Sequence, residues 1–370
     1  MIEREIFCFK YIRVNHYNSS VYFFNIPIFR KYEISGFPYI EILGVRKRIS
    51  ADRRVKRAIR DARNLLGRNF RKAIVLSSHS GETSLLLSKI AEQICSEKNT
   101  FFILTRPYHI QFLKLYTPNV RYVYCPELLT VPMSSKAKSL YIVDDVKVYL
   151  PCILSYFENL EYEMKNKPLD EVPHFYSRLL DTQVRMMGYS LEASPSKPKI
   201  FPVAKDAFVD RLRILGFNNK KIIILSPESV SNFLLPEWFW QKLSVELQQH
   251  GYCCVFNVTS WCPYTRYGHI FPTSYEEAIL LAEKSECVIG LRSGFLDVVA
   301  PVSKKLIAIY TDFKHRTPLL PQVEAKRIRK CFSIEKLPYR PNKNYEIVLN
   351  NNYDALDDYV IKILKMVLYS

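Results

Sequence analysis

The sequence predicts an α/β protein with two doubly wound domains and a small N-terminal β-hairpin appendage. Strand-like and helix-like segments alternate from residue 72, and the alternation restarts near residue 220 after a stretch rich in Pro, Ser and Lys. Alternation of this kind is typical of parallel βαβ units. The 370 residues suffice for two domains with large buried cores.

Residues 1–50 form the predicted appendage. The segments 21–32 (VYFFNIPIFRKY) and 38–49 (PYIEILGVRKRI) each place an apolar run before a turn-like centre and a basic end. This pattern predicts short β-hairpins. One or two extra strands added to the first domain are an equally good interpretation.

The first domain is predicted over residues 51–200. It begins with a helix at 51–66, whose apolar residues recur at helical spacing and whose opposite face is crowded with Arg and Lys. The stretch 191–206, rich in Pro, Ser and Lys, is the predicted linker to the second domain. Short apolar runs predict strands at 72–78, 100–105, 120–126 and 139–144, and a helix at 150–164 follows the last of them.

The second domain is predicted over residues 201–335. A helix that Ser274 opens is expected at 274–285, and a short helix follows the strand at 286–294. The chain after residue 313 is basic and loop-rich, and residues 336–370 form a C-terminal tail that ends in a helix near 354–368. Apolar runs predict strands at 220–229, 252–259, 286–294 and 304–312.

The net charge of +17 favours polyanionic partners, which include nucleic acid, an anionic membrane surface and phosphorylated substrates. No helix-turn-helix, RNP-like or zinc-finger pattern is present, so nucleic acid is not expected as a partner. The clusters at 53–72 and 314–331 suit an anionic lipid surface. The alternative is that these charges form ordinary solvated surfaces.

The cysteines and the N-terminus predict a cytoplasmic protein, with peripheral attachment to the inner face of the cell membrane as an option. The nine cysteines are odd in number, and several lie in apolar runs, which suits reduced thiols. No C-x-x-C pair occurs and the histidines are scattered, so no zinc site is expected. The sequence shows neither a signal-peptide pattern nor an apolar run long enough to cross a bilayer.

Three loops are candidates for chemistry, because ligands of open α/β sheets bind beyond the carboxyl ends of the strands. The first is 77–84 (SSHSGETS), which places His79, Ser80, Gly81 and Glu82 at the start of a helix. Such a helix end receives an anionic or polar group, and Glu82 or His79 could accept a proton from an attacking hydroxyl. The alternative is a cap in which Ser80 or Glu82 satisfies the first-turn amides.

The second candidate is the hydroxyl-rich loop 226–232 (SPESVSN), which precedes a helix. Ser229, Ser231 and backbone amides could hold phosphate oxygens there. The loop lacks the Walker pattern of glycines and lysine. A capped loop without a ligand is an equally good interpretation.

The third candidate is the segment 289–297 (IGLRSGFLD). Arg292 supplies a positive charge for a bidentate phosphate contact, and Ser293 and Gly294 let the backbone approach a ligand closely. The alternative is an ion pair between Arg292 and Asp297 that holds the turn.

Together, these segments resemble bacterial glycosyltransferases with the GT-B architecture of two Rossmann-like domains, over residues 70–312. The segment 222–259 is similar to the heptosyltransferase-type succession of strand, Pro-containing loop, Trp-containing helix and strand, and 275–310 is similar to the part that holds the donor. The usual D-T-G pattern is replaced by Arg292-Ser293-Gly294, which is closer to the R-S-G version of capsule and lipopolysaccharide enzymes and resembles fucosyltransferases. The N-terminal segments resemble short repeats that precede such transferases.

The resemblance implies a nucleotide-sugar-dependent glycosyltransferase whose acceptor is a cell-surface glycan or glycolipid. It matches Glu82 to the acidic residue of the heptosyltransferase G-D loop, which makes Glu82 the candidate base and His79 its rival, with Ser80 and Gly81 in the acceptor loop. The donor-binding candidates are Ser226, Glu228, Ser229, Asn232, Arg292, Ser293, Gly294 and Asp297.

The expected mechanism is inverting and needs neither a metal nor a cofactor, because no Asp-x-Asp motif occurs and the aspartates of VDDV (143–146) are adjacent. Positive charge and helix N-termini would then stabilise the leaving diphosphate. A non-catalytic nucleotide- or glycan-binding protein on the same fold is the first alternative. An anionic-surface or nucleic-acid binding module is the second.

Overall fold

The structure is a computed structural model that divides into two compact units. The first contains residues 1–77, 98–107 and 121–155, and the second contains 78–97, 108–120 and 156–370. The predicted boundaries after residues 50, 200 and 335 stay a prediction. The described residues are the strands within 2–48, then 50–132, 137–151, 162–230, 232–258, 266–270, 274–313, 323–337, 339, 341, 343–349 and 355–369.

The predicted α/β class is confirmed, because each unit contains a mainly parallel sheet with α-helical packing against it: α1 (Ala51–Leu66) in the first unit, and several helices in the second. The N-terminal strands form a separate six-stranded sheet in which each strand is antiparallel to the next. Of the turn centre predicted at Asn25-Ile26-Pro27, Ile26 and Pro27 lie in a strand; Asn25 and the second predicted centre, Leu43-Gly44, lie outside the described residues. The strands of this sheet are β1 (Ile2–Ile6), β2 (Phe9–Arg13), β3 (Ser19–Phe23), β4 (Ile26–Ile34), β5 (Phe37–Ile42) and β6 (Val45–Arg48).

The first unit continues with helix α1 and a five-stranded sheet. Strands β11, β7, β8 and β9 are parallel, and β10 forms an antiparallel edge beside β11. The elements are α1 (Ala51–Leu66), β7 (Lys72–Leu76), β8 (Thr100–Leu104), β9 (Arg121–Tyr124), β10 (Leu140–Val143) and β11 (Val146–Tyr149).

Helix α1 has the predicted bounds and the predicted buried stripe. The Ser50 hydroxyl accepts a hydrogen bond from the Arg53 amide at the N-terminus, and Gly67 ends the helix. The apolar residues of the stripe pack with β7, β8, β10 and β11 in one core. Arg54 is also buried and donates hydrogen bonds to the Glu127 carbonyl and the Thr130 hydroxyl, at 2.9 and 2.8 Å.

The sequence predicts no strand between the one at 139–144 and the helix at 150–164, but residues 146–149 form β11. Asp144 and Asp145 both have positive φ, at 44° and 69°, and turn the chain back into a hairpin. Their carboxylates contact Arg63, and Asp145 also accepts from Arg71 at 2.5 Å. The VDDV aspartates therefore make a turn held by two arginines. Residues 152–161 of the predicted helix lie outside the described residues.

The second unit contains a six-stranded parallel sheet. Its order is β14-β13-β12-β15-β16-β17, the 3-2-1-4-5-6 arrangement of doubly wound dinucleotide-binding sheets. The strands are β12 (Lys221–Ser226), β13 (Tyr252–Phe256), β14 (His269–Ile270), β15 (Cys287–Leu291), β16 (Lys305–Tyr310) and β17 (Lys343–Val348).

Helices cover both faces of this sheet. Helices α6 and α10 share one core with strand residues on one face, whereas residues of α2, α4, α5, α7, α8 and α9 belong to the core on the other. The helices are α2 (Ser80–Cys95), α3 (His109–Tyr116), α4 (Phe175–Met186), α5 (Pro202–Ile214), α6 (Glu237–Gln249), α7 (Tyr275–Lys284), α8 (Gly294–Val299), α9 (Ala325–Phe332) and α10 (Leu356–Tyr369).

The chain after residue 313, predicted to be loop-rich, adds two regular elements before its terminal helix: α9 and β17. Helix α10 is fastened to the sheet by Lys305 of β16. The buried ammonium of Lys305 donates to the Met366 and Val367 carbonyls at 2.9 and 3.0 Å. These are carbonyls of the last helical turn, which have no partner inside a helix.

Six cysteines lie in the described part of the chain, and all six are free thiols, as predicted. Cys8, Cys152 and Cys262 lie outside it. Among the described residues, no helix is long and apolar enough to cross a membrane.

The buried stripe of α1 generates a test of the first core. Ile59 is fully buried among strand residues, so Ile59→Ala should lower the free energy of unfolding by ~2–5 kcal/mol, as urea unfolding measures. The neighbouring Arg60 is exposed, so Arg60→Ala should change it by less than ~0.5 kcal/mol. Equal effects of the two variants would contradict the burial of this stripe.

Candidate functional site

The second and third predicted loops leave neighbouring strands. Strands β12 and β15 pair in parallel, with Ser226 opposite Gly290, and the strand order reverses between them. A Cβ on Gly290 would stand 2.8 Å from both the Cβ and the carbonyl oxygen of Ser226, so glycine permits this close pairing. A crevice at such a reversal is where open α/β sheets bind ligands.

Arg292 follows directly after β15, at the carboxyl end of the strand as predicted. Its side chain is only 4% exposed. Its Nε donates to the Phe332 carbonyl at 2.7 Å, Nη1 to the Ser293 carbonyl at 2.8 Å, and Nη2 to Asp297 Oδ1 at 2.6 Å. The alternative interpretation, an Arg292–Asp297 pair that holds the turn, is confirmed. A role of Arg292 in donor binding stays a prediction.

Two residues of the loop after β12 also hold Arg292. The Asn232 side-chain amide donates to the Arg292 carbonyl at 2.7 Å, and the Ser229 hydroxyl reaches the same oxygen at 3.4 Å. Ser226 is buried and accepts from the Asn257 amide at 3.1 Å, whereas Glu228 is half-buried. Asn232 and Ser229 therefore join the loop after β12 to the loop after β15. Ser231 lies outside the described residues.

The first and third predicted loops meet at two glycines. A Cβ on Gly81 would stand 2.8 Å from Gly294 Cα and 2.5 Å from Asp297 Oδ2. A Cβ on Gly294 would stand 3.0 Å from the Gly81 nitrogen and 3.1 Å from Ser80 Oγ. The absence of side chains at both positions therefore lets the first turns of α2 and α8 touch through their backbones.

The loop before α2 is fastened at one carbonyl. Ser78 O lies 3.0 Å from His109 Nε2 and accepts from Tyr108 Oη at 3.2 Å and Thr83 Oγ1 at 3.4 Å. Because a carbonyl only accepts, His109 carries its proton on Nε2. These bonds fix the segment that carries His79 and the first turn of α2.

The catalytic candidates lie at the start of α2. His79 is exposed and is the N-cap residue, but its side chain makes no capping hydrogen bond. Ser80 and Glu82 are the first and third residues of the helix, and both are half-buried. Ser80 is not the N-cap residue, because it is already inside the helix and His79 occupies the cap position, whereas the alternative in which Glu82 satisfies the first-turn amides stays a prediction.

The hydroxyl of Ser293, the residue before Gly294, is a further feature of the candidate site. Ser293 is the N-cap residue of α8, yet its side chain makes no capping bond. Its Oγ is buried and has no hydrogen-bond partner within the described residues. A buried unsatisfied hydroxyl in a native protein calls for an explanation, of which a bound ligand is one.

A buried polar network holds the segment whose carbonyl accepts from Arg292. Glu346 of β17 accepts from Tyr310 Oη at 2.6 Å, Arg329 Nε at 2.8 Å and the Ile334 amide at 2.7 Å. Burial alone would raise the pKa of Glu346, but these hydrogen bonds hold it below its ordinary value. The network fixes the segment that contains Phe332, whose carbonyl receives Arg292 Nε.

His174, the N-cap residue of α4, joins the same segment. Its Nε2 lies 3.0 Å from the Ser333 carbonyl, and its Nδ1 accepts from the Ser177 amide at 3.2 Å. Burial lowers the pKa of His174 to about 4, and the nearby positive charges of Lys336 and Arg292 act in the same direction. A proton on Nδ1 would also remove the acceptor that the Ser177 amide needs.

Sequence reasoning missed several of these residues. Asn257 and Thr311 directly follow apolar strands, so the rule that selected the three loops would also have found them. Thr311 donates to the Phe233 carbonyl at 2.7 Å and so fastens the loop after β12. Neither His174 nor Glu346 directly follows an apolar strand, so the rule does not select them. They lie more than a hundred and about fifty residues from Arg292 along the chain, and only the fold brings them to the segment after Phe332.

Two solved structures share this architecture. A family 9 glycosyl transferase from Veillonella parvula has a TM-score of 0.50 and 14% sequence identity, covering 81% of this chain and 98% of that one. The ADP-heptose LPS heptosyltransferase II of E. coli has a TM-score of 0.50 and 10% identity, covering 81% and 99%. This chain has the GT-B fold. No protein-family model and no curated protein matches the sequence.

The fold expected from the resemblance is therefore confirmed. At these identities the likeness concerns the fold alone, so the chemistry of the site is argued from its own residues. Among the described residues, no group of three or more His, Cys, Asp or Glu side chains is placed to hold a metal ion.

The low pKa of His174 generates a test of the network. The unfolded chain has an ordinary histidine pKa of 6.5 and binds the proton more readily than the folded chain, so the free energy of unfolding should fall as the pH drops from 6.5 towards 4. His174→Gln should flatten this part of a plot of stability against pH. His250→Gln, at an exposed histidine, should leave the slope unchanged, and equal slopes in all three proteins would contradict the assignment.

Proposed function

We propose that this chain is a glycosyltransferase that moves a sugar from a nucleoside-diphosphate sugar to a hydroxyl group of a glycan or glycolipid. The observation that carries the proposal is the contact between Gly81 and Gly294. It brings the half-buried acidic residue Glu82 next to a loop at the strand reversal of a doubly wound sheet. The GT-B fold supports the same class of reaction.

The donor is assigned to the loops after β12 and β15. Ser293, with its unsatisfied buried hydroxyl, and the backbone of Gly294 are the groups best placed to meet it. Asp297 balances the charge of Arg292, so the diphosphate needs other positive groups. We assign its stabilisation to the backbone amides at this edge and to the N-terminal end of the 16-residue helix α2. The E. coli structure is that of an ADP-heptose enzyme, which makes ADP the first nucleotide to test.

The proposed chemistry is a single displacement. Glu82 accepts the proton of the acceptor hydroxyl while that oxygen bonds to the anomeric carbon, and the bond from this carbon to the diphosphate breaks. The nucleoside diphosphate leaves with the electron pair, and the sugar inverts. We retain a metal-independent mechanism, since Asp144 and Asp145, the adjacent aspartates of VDDV, are engaged by Arg63 and Arg71.

The function is tested by a thermal-shift screen against ADP-, UDP-, GDP- and CMP-sugars, followed by transfer assays with the sugar that binds. Glu82→Gln should leave donor affinity unchanged and reduce turnover by ~10²–10⁴-fold, the usual contribution of a general base. His79→Ala is the comparison, because His79 is the rival base.

Normal turnover in Glu82→Gln together with an inactive His79→Ala would move the base to His79. A nucleotide that binds without any transfer or hydrolysis would favour the non-catalytic alternative. No shift with any of the four nucleotides would contradict the proposal.

We further propose that the first unit meets an anionic membrane through α1. The apolar stripe of α1 is buried in the core, and Arg54 and Arg63 are engaged within the protein, so the attraction is electrostatic only. The exposed basic residues that remain on the helix are Arg53, Lys56, Arg57 and Arg60, of which Arg57 pairs with the exposed Asp61 at 3.8 Å. Each contributes on the order of 1 kcal/mol near an anionic surface.

Sedimentation with acidic vesicles measures this attraction. Replacing the four exposed basic residues of α1 by Gln should abolish sedimentation, and added salt should weaken binding of the native chain, because exposed charges are screened beyond ~8–10 Å at ~0.1–0.15 M. A control variant with Lys199, Lys205, Lys220 and Lys221 replaced by Gln has the same net charge. Equal losses in the two variants, or equal sedimentation with neutral vesicles, would contradict a role of α1.

A further inference from the structure

Asp297 occupies a place that donor binding does not explain. Its side chain is fully buried, and its Oδ1 accepts from Arg292 Nη2 at 2.6 Å. On the other side of the carboxylate, Oδ2 lies 2.5 Å from where a Cβ on Gly81 would stand. One carboxylate therefore contacts both the loop after β15 and the first turn of α2.

The groups on both sides of Asp297 are held in place. The Arg292 guanidinium is bonded to the Phe332 and Ser293 carbonyls, and its backbone carbonyl is bonded to Asn232. On the α2 side, Gly81 already lies in backbone contact with Gly294. A packed interior transmits displacement because it contains little empty space. A shift of Asp297 would therefore move α2 relative to the loop.

The charge of Asp297 suits this place. A carboxylate beside the N-terminus of the 16-residue helix α2 is stabilised by the helix dipole. With no exposed side-chain surface and an ion pair to Arg292, the carboxylate of Asp297 is engaged within the protein.

We infer that Asp297 is a positioning residue, which sets the distance between the loop 292–294 and Glu82. This rests on the proposed function, in which the donor binds at that loop and Glu82 receives the acceptor's proton. Asp297 acts through Arg292 on one side and through Gly81 on the other. It contacts neither substrate, so its replacement should affect the rate of transfer and not the binding of the nucleotide.

Two variants of the full chain test this role. Asp297→Asn removes the charge, and Gly81→Ala keeps the ion pair but places a methyl group inside the contact. Gly268→Ala is the matched control, because its Cβ would stand 2.7 Å from the Phe256 ring and 2.8 Å from the Cys254 carbonyl oxygen, outside the contact of α2 with α8. ADP is the binding probe, and isothermal calorimetry gives its affinity.

Both test variants should reduce sugar transfer by ~10–100-fold, because a misplacement of about 1 Å can cost ~10²-fold in rate. Their affinity for ADP should stay within about threefold of that of the native chain, and Gly268→Ala should retain its rate. A loss of ADP affinity equal to the loss of transfer would overturn the inference, since it would make Asp297 part of the donor site.

Hydrogen–deuterium exchange separates this inference from the proposed function. Thr83 N–H is bonded to the His79 carbonyl at 2.9 Å in the first turn of α2, and its exchange should accelerate in both variants whether or not sugar is transferred. If the native chain transfers no sugar, the proposed function fails, but the exchange rates still show whether Asp297 and Gly81 hold the first turn of α2 in place. Unchanged exchange in Gly81→Ala, or in a folded Asp297→Asn, would overturn the inference.

Discussion

The carboxyl edge of the second sheet is organised around one buried guanidinium group. Arg292 is nearly free of solvent, so its donors need acceptors within the protein, and a buried charge without them would be strongly destabilising. Three segments supply them: the turn after β15, the first turn of α8 and the end of α9. The geometry of the candidate site thus follows from satisfying a single side chain.

Most of the regular structure could be predicted from the periodicity of apolar residues. Helix α1 has the expected bounds, and Ser274 opens α7 with a capping box completed by Glu277. Both signals are local, since they depend on residues within one or two helical turns. Apolar runs likewise predicted every strand of the parallel sheets except β11, the two-residue β14 and β17.

The missed elements lack such local signals. Strand β11 exists because Asp144 and Asp145 adopt left-handed backbone conformations that Gly or Asn usually supplies. Strand β17 is an edge strand in which Lys343, Asn344 and Glu346 interrupt the apolar residues, so no continuous apolar run marks it.

The three loops of the candidate site could be located from the rule that polar residues follow strands. The contact of Gly81 with Gly294 could not, because it joins residues more than two hundred positions apart. For the same reason, the sequence does not show which residues face a ligand and which only bind neighbouring segments of the protein. Arg292 was predicted from its charge, but its burial and its partners depend on the whole second unit.

The bond from Lys305 to α10 has a consequence for biosynthesis. Lys305 is the first residue of β16, the strand next to the edge strand β17, and its ammonium is covered by protein only once the carbonyls of residues 366 and 367 have arrived. A chain emerging from the ribosome completes β16 long before α10 is made. Until α10 docks, this ammonium stays in contact with water. The second unit therefore cannot reach its native state until residues 356–369 have left the exit tunnel, a period in which the apolar sheet face that α10 covers is open to misassembly.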